Sequence, residues 1–309
     1  MILEKEDPMS YKIGSFNLLN LTASDETKSE KDFKQIAKII RHEKFDIVAL
    51  QEVLSEDAVK QLVKELGERR WDFKFDTPET YARKSEGYAY IWNNNRIMLV
   101  DDVKNPMIYK RYTSHYQYGS QGLVRAPYVI RLTPIHVPEV EFRLINTHIA
   151  FNKSANYGEE ISKADLRRKE YDILTQDVYR LVSMQRYGDN RVAYTFLMGD
   201  YNLCLSGTET KIQDTVEVYM AKNLFLTTVQ DKKTTLKQSN TAALDDVYSQ
   251  DYDHFTFDKC YQEKMKIKED RVDAIGRFYS NDVDAYRTKI SDHVPIKLLI
   301  DLKVKGERV

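Results

Sequence analysis

The sequence predicts a layered α/β fold, and three observations carry that expectation. Short runs rich in β-branched and aromatic residues alternate with amphipathic stretches from one end of the chain to the other. No period suggests internal repeats. With 42% hydrophobic and 31% charged residues over 309 positions, the chain has the balance of a soluble globular protein with a self-sufficient core.

Tyr11 to Phe16 and Asp46 to Leu50 read as buried strands, joined by a helix whose Phe33, Ile36, Ile39 and Ile40 share one apolar face. Ser55 is placed to cap a second helix. Glu56 and Asp57 occupy its first turn, Val59, Leu62, Val63 and Leu66 point inward, and Gly67 stops it. Further strands are expected at Tyr88 to Trp92, Ile97 to Val100, Tyr128 to Leu132, Glu141 to His148 and Ala193 to Met198, most of the remaining regular structure being helical. The longest helix is predicted from about Ser162 to Tyr187, with Asp165 supporting the cap and Gly188 closing it. A loop-rich region to about Gln250 then precedes strands at His254 to Phe257 and Val294 to Leu302. The stretch holding Tyr109, Tyr112, Tyr116 and Tyr118 reads as a surface excursion, and Trp71 and Trp92 as core. One domain over 11–303, with short tails at 1–10 and 304–309, is the expected organisation.

Forty-seven basic and 48 acidic residues give a net charge of −1, so any polyanion site must be a local patch. Lys163, Arg167, Arg168 and Lys169 form one basic run on the long predicted helix, either a solvated face or a set of phosphate contacts. Cys204 and Cys260, the only cysteines, exclude a disulfide framework and favour two free thiols in a reducing compartment over a single bridge. The first ten residues carry Glu4, Glu6 and Asp7 without an apolar run and do not form a signal peptide. A cytoplasmic location is therefore expected unless an export signal has been removed.

Five short segments end or follow predicted strands and place polar groups where apolar side chains would otherwise continue. They are Ser15-Phe16-Asn17, Leu50-Gln51-Glu52-Val53, Asn146-Thr147-His148, Met198-Gly199-Asp200-Tyr201-Asn202 and Ser291-Asp292-His293-Val294-Pro295. Strand ends of α/β proteins converge on one rim, where ligands are commonly bound. Glu52, Asp200 and Asp292, with the amide of Asn17, offer oxygen ligands to a hard cation. Mg²⁺, Mn²⁺ or Ca²⁺ is thus favoured over zinc. His148 and His293 are suited to proton transfer near neutral pH. Hydrolysis of a phosphodiester needs an activated water, a neutralised phosphoryl oxygen and help for the leaving alkoxide, and this set can supply all three.

The ordered motifs Phe-Asn, Gln-Glu-Val, Gly-Asp-Tyr-Asn and Ser-Asp-His resemble the signature of the endonuclease/exonuclease/phosphatase superfamily across Gly14 to Ile296. Glu86-Gly87-Tyr88-Ala89-Tyr90, Val124-Arg125-Ala126-Pro127 and Tyr252-Asp253-His254 are similar to segments of its deoxyribonuclease I-like branch. The resemblance implies a two-sheet, four-layered α/β sandwich with the active site at the top of the sheets. It implies a Mg²⁺ site around Glu52, Asn17 and Asp292, and acid/base pairs His148 with Glu86 and His293 with Asp253. Asp200 and Asn202 would bind the water and the scissile phosphate, and Arg125 would contact substrate phosphate. Leu54 stands where that branch carries an arginine for the DNA minor groove, Tyr81 is displaced from the branch's tyrosine, and the cysteines do not match its disulfide.

A nuclease of low sequence specificity acting on DNA, with RNA as a second substrate class, is the expected function. A phosphatase or lipid phosphodiesterase is the alternative, although no Cys-Asp-Arg element of the inositol polyphosphate 5-phosphatases occurs. The late tryptophan segment of abasic endonucleases is also missing. A catalytically silent scaffold would not need this many polar groups at strand ends, where unpaired buried charges cost several kcal/mol.

Overall fold

The computed structural model describes residues 9–23, 31–77, 86–101, 123–151, 163–204, 226–229, 232–237 and 247–302. Ser162, Tyr81 and the four tyrosines of the expected surface excursion lie outside the described residues.

The chain opens with strand β1 (Ser10–Leu21), which runs parallel to β2 (Ile47–Val53), Ile13 lying opposite Ile47 and Asn17 opposite Gln51. Parallel neighbours need a crossover, and helix α1 (Phe33–His42) lies between the two strands in the chain. Asp32 caps it by accepting the Gln35 N–H at 2.9 Å, and Phe33, Ile36, Ala37, Ile39 and Ile40 form its buried face. Helix α2 (Glu56–Leu66) begins at Ser55, whose hydroxyl accepts the Ala58 N–H at 3.3 Å, and ends at Gly67 with φ +104°.

Strands β3 (Trp71–Asp76) and β4 (Gly87–Asn93) complete one edge of the first sheet, and β11 (Lys266–Arg271) with β12 (Ile296–Asp301) the other, in the order β11-β12-β1-β2-β4-β3. The second sheet is β5 (Ile97–Asp101), β6 (Tyr128–Pro134), β7 (Val140–His148), β8 (Val192–Asp200), β10 (Asp253–Asp258) and β9 (Leu226–Val229), adjacent in that order. At the centre of each sheet sits one parallel pair, β1 with β2 and β7 with β8.

Three apolar layers join these parts. Tyr11, Ile13, Tyr90, Leu298 and Ile300 of the first sheet meet Tyr128, Phe142, Phe196 and Phe255 of the second. The outer face of the first sheet packs on α1, α2, α6 (Ala274–Tyr279) and α7 (Val283–Lys289) through Leu50, Ile36, Leu62, Ile275 and Tyr286. The outer face of the second packs on the segment formed by α3 (Lys163–Asp172), a π-helical turn (Ile173–Val178) and α4 (Tyr179–Met184), through Ile145, Leu197, Leu174 and Val182. The result is the two-sheet, four-layered sandwich. Trp71 and Trp92 are both buried.

Several elements differ from the expectation. β3, β9 and β11 are strands, not helix or loop. In β3 the apolar residues Trp71, Phe73 and Phe75 alternate with charged ones, a two-residue period that helix-oriented reading passes over. β11 is a charged edge strand, and charge is the ordinary protection of an edge. The long helix ends at Met184, because Gln185 adopts extended backbone (φ −62°, ψ 131°) three residues before Gly188. A four-residue helix, α5 (Tyr261–Lys264), precedes β11. Both cysteines are free thiols. Among the described residues no helix is long and apolar enough to cross a membrane.

Strand direction assembles the five polar segments. Regular pairing of β1 with β2 runs as far as Asn17, β2 carries Glu52 next to its last residue, and β7 and β8 finish at His148 and Asp200, while β10, β12 and β4 run the other way and begin at or within three residues after Asp253, His293 and Glu86. Two departures from regular pairing shape this rim. On β2, Gln51 and Glu52 together oppose Tyr88, a bulge that puts Glu52 at φ +55°. On β8, Gly199 has φ +142°, and a Cβ there would come within 1.9 Å of the Thr147 carbonyl oxygen. Only glycine lets β8 approach β7 closely enough to present Asp200. Gly199→Ala is expected to cost more than about 2 kcal/mol of stability, read from urea denaturation. A wild-type midpoint would contradict this close approach.

Candidate active site

Asp200 occupies the centre of the rim. It is buried, and its Oδ2 lies 3.6 Å from the Nε2 of His148 and 3.6 Å from the Nε2 of His293. Two imidazoles therefore face one carboxylate oxygen. The same oxygen accepts the Nδ2 amide of Asn17 at 3.0 Å, and Oδ1 accepts the Asn202 N–H at 2.8 Å. Asn202, itself at φ +49°, ties its side chain to the Ile149 carbonyl at 2.8 Å, which fixes the β7 and β8 ends together.

Each imidazole has a second acid behind it. His293 Nδ1 lies 2.8 Å from Asp253 Oδ2, a buried hydrogen-bonded pair. Burial opposes charge on His293, but Asp253 and Asp200 outweigh it and lift the imidazole to about 10. His293 is thus an imidazolium at neutral pH when no cation is bound nearby. Burial also raises the Asp200 carboxyl, against the pull of the two histidines. His148 Nδ1 stands 3.3 Å from Glu86 Oε2, and its Nε2 stands 3.9 Å from Glu52 Oε1.

Of the residues expected to hold a cation, Asn17 and Glu52 are in contact: Asn17 Nδ2 donates to Glu52 Oε1 at 2.9 Å. The Oδ1 of Asn17 accepts the Leu19 N–H at 2.9 Å, so in this arrangement the amide aligns two carboxylates and its carbonyl faces away from them. Asp292 is partly exposed, with Oδ2 3.8 Å from Arg287 and Oδ1 4.0 Å from His293 Nε2. Among the described residues, the group whose ligand atoms all lie within 4.8 Å of one another is Asp200, Asp253 and His293, a different set from the expected one. Asp253 and His293 are already bonded to each other, so that trio is a hydrogen-bonded pair beside a carboxylate. Within the partly exposed Asp292 side chain the Oδ1 atom itself is covered and has no hydrogen-bond partner. An unpartnered carboxylate oxygen among Glu52, Asp200 and Asp292, without a thiolate nearby, fits a hard divalent cation.

Arg125 departs from its expected contact. Its Nη2 lies 2.7 Å from Glu86 Oε2 and its Nη1 donates to the His148 carbonyl at 3.2 Å, so the guanidinium is turned inward and backs the His148–Glu86 pair. The buried Glu86 carboxylate requires a compensating cation, and Arg125 supplies it.

Sequence reading assigned no role to a second ring of residues. Gln51 Nε2 donates to Ser15 Oγ at 3.1 Å and to Asn146 Oδ1 at 2.7 Å, bridging the two sheets beneath the site. Ser291 Oγ donates to the Asn17 carbonyl at 2.7 Å and accepts the His293 N–H at 3.1 Å. Lys31 donates to the Ile290 carbonyl at 2.6 Å; burial lowers its ammonium to about 8, although Asp292 and Glu52 act to raise it. Gln51, Asn146 and Ser291 sit inside the strand-end motifs, whereas Lys31 carries no motif at all.

The family of this fold follows from comparison. A family model described as the endonuclease/exonuclease/phosphatase family matches residues 14–293. The chain belongs to that family. A solved endonuclease/exonuclease/phosphatase from Bacteroides vulgatus superposes with TM-score 0.60 at 14% identity, covering 95% of this chain and 99% of that one. A mannosyl-6-phosphatase from Bacteroides thetaiotaomicron gives 0.55 at 16%, covering 93% and 98%. D. rerio TDP2 complexed with a single-strand DNA product gives 0.55 at 13%, covering 94% and 98%. At these identities the likeness is one of fold. No curated protein matches the chain. Members of the family hydrolyse phosphoester bonds, and this chain is a family phosphodiesterase or phosphatase.

Glu170 on α3 yields a test of the site's support. Its fully buried carboxylate accepts the Val124 N–H at 3.0 Å and the Ala150 N–H at 3.5 Å, joining the segment of Arg125 to the residues that follow His148. Burial pushes it up to about 7, against the two N–H groups and Arg125. A folded value above the unfolded one of 4.5 means this contribution is complete below pH 4.5 and is lost as pH rises through 7. Wild-type stability should fall by about 3 kcal/mol between pH 5 and 8 from this group, and Glu170→Gln should flatten that slope. Denaturation at the two pH values checks it; an unaltered slope would place the titration elsewhere.

Proposed function

We propose that the protein is a divalent-cation-dependent phosphodiesterase that hydrolyses nucleic-acid backbone, DNA first, with little sequence specificity. The observation that carries this reading is the pair of imidazoles, each backed by its own acid, facing one oxygen of Asp200 at 3.6 Å. Glu52 and Asp292 would hold the cation, Mg²⁺ before Mn²⁺ or Ca²⁺, with the Asn17 amide aligning Glu52 for it, and the cation would supply charge for a phosphoryl oxygen.

The remaining work belongs to the chain. Asp200 and Asn202 orient the attacking water, and Asn17 fixes Asp200 against Glu52. His293, oriented by its contact with Asp253, donates a hydrogen bond to a phosphoryl oxygen and a proton to the departing alkoxide. His148, oriented by Glu86 and Arg125, accepts the proton that the attacking water gives up. Support for DNA comes from the segments similar to deoxyribonuclease I and from the single-strand DNA product bound by a structural neighbour. A second reading, hydrolysis of a sugar phosphate, is favoured by the mannosyl-6-phosphatase neighbour.

Plasmid nicking in Mg²⁺, with linear duplex, single-stranded DNA and RNA alongside, tests the proposal. Chelator should abolish cleavage, and His293→Ala or His148→Ala should lower the rate at least about 100-fold while the melting temperature stays within a few degrees. Cleavage that survives chelator and both variants would sink it. Glu52→Gln should raise the Mg²⁺ concentration needed for half-maximal rate; an unchanged Mg²⁺ response would move the cation site away from Glu52.

A further inference from the structure

Phe151 follows His148 by three residues and is 48% exposed, although it sits beside a buried rim. Across the end of β8, Tyr252 immediately precedes Asp253, and its carbonyl accepts the Tyr201 N–H at 2.7 Å. The Phe151 and Tyr252 rings lie 6.5 Å apart, tilted by 52°. The guanidinium of Arg167, from the basic run on α3, stands over the Phe151 ring at 5.0 Å. Two rings and a cation therefore flank the ends of three adjacent strands, β7, β8 and β10, that carry His148, Asp200 and Asp253.

The exposed face of Phe151 costs free energy in water, and neither the sheet ladders nor the three apolar layers use it. Its chemistry suits a flat, polarisable group attached to an anion: the rings offer a stacking surface, and the guanidinium offers both a planar face and positive charge. Three residues of chain span at most about 10 Å, so the surface lies within reach of the base on a nucleotide whose phosphate is at His148. A base in a duplex is stacked on its neighbours and presents no free face, whereas an unpaired base does.

We propose that Phe151, with Tyr252 and Arg167, forms a stacking subsite for an unpaired nucleobase next to the scissile phosphate. The subsite rests on the phosphodiesterase reading above and sharpens it to single-stranded or locally unpaired nucleic acid. Phe151 is the specificity-determining contact, and Arg167 holds its ring and adds charge.

The test compares an oligothymidylate with the same backbone carrying tetrahydrofuran in place of every base, both in Mg²⁺. Wild type should favour the base-bearing strand by about 5- to 150-fold in KM, as expected for one stacked base. Phe151→Ala should reduce that discrimination to near one, Phe151→Trp should keep it, and Phe151→Leu should lose it. Equal use of both strands by wild type, or discrimination retained in the alanine and leucine variants, overturns the subsite. Hydrolysis of mannose 6-phosphate with neither strand cut overturns the subsite and leaves a phosphatase. Cleavage of none of the three overturns the phosphodiesterase reading itself.

Discussion

Two sheets that meet only through apolar side chains can slide over one another, because hydrophobic contact has no direction. The amide bridge from Gln51 on β2 to Asn146 on β7 gives this sandwich a direction. Both side chains are fully buried, and Asn146 also donates to the Leu50 carbonyl at 2.9 Å. A buried amide left without partners costs about 1–3 kcal/mol, so displacing one sheet by even one residue is penalised where it would matter most. Asn17 and Glu52 belong to the first sheet, His148 and Asp200 to the second. Their contacts across the rim depend on that register.

Electrostatics then determines what the rim can hold. Five carboxylates, from Glu52, Glu86, Asp200, Asp253 and Asp292, gather around two imidazoles. Arg125 answers Glu86, His293 answers Asp253 and Arg287 stands 3.8 Å from Asp292, which leaves Glu52 and Asp200 short of positive charge. Lys31 contributes to that side from a half-buried position, its ammonium weakened by desolvation. Such a deficit is costly in a low-dielectric environment and is relieved by a bound cation.

Much of this was legible because chemistry-bearing residues interrupt strongly apolar strands. A carboxylate, an amide or an imidazole at the end of a run such as Phe196 to Met198 stands out against its neighbours, and family motifs gave the order. Pairings within the site were legible only through the family resemblance, since Asp253 and His293 are 40 residues apart. Three things escaped. The inward turn of Arg125 depends on its guanidinium meeting Glu86, far away in the sequence, and no local pattern encodes that. β11 was obscured because edge strands are charged by necessity. Lys31 shows nothing in sequence because its significance comes entirely from burial among distant groups.

The π-helical turn at Ile173–Val178 bears on how a helix can serve a flat surface over a long distance. Leu166, Glu170, Leu174, Val178 and Val182 recur every four residues and are all buried. At 100° per residue, steps of four drift by about 40° each, so on an ideal α-helix this row would wind about 160° around the cylinder and its far end would leave the sheet. A wider turn in the middle takes up part of that rotation. The segment behaves as a splice between two shorter helices, each aligned to its own stretch of β-sheet. One end is thereby free to present Glu170 beneath the active-site rim, while the other keeps Val182 in the apolar layer.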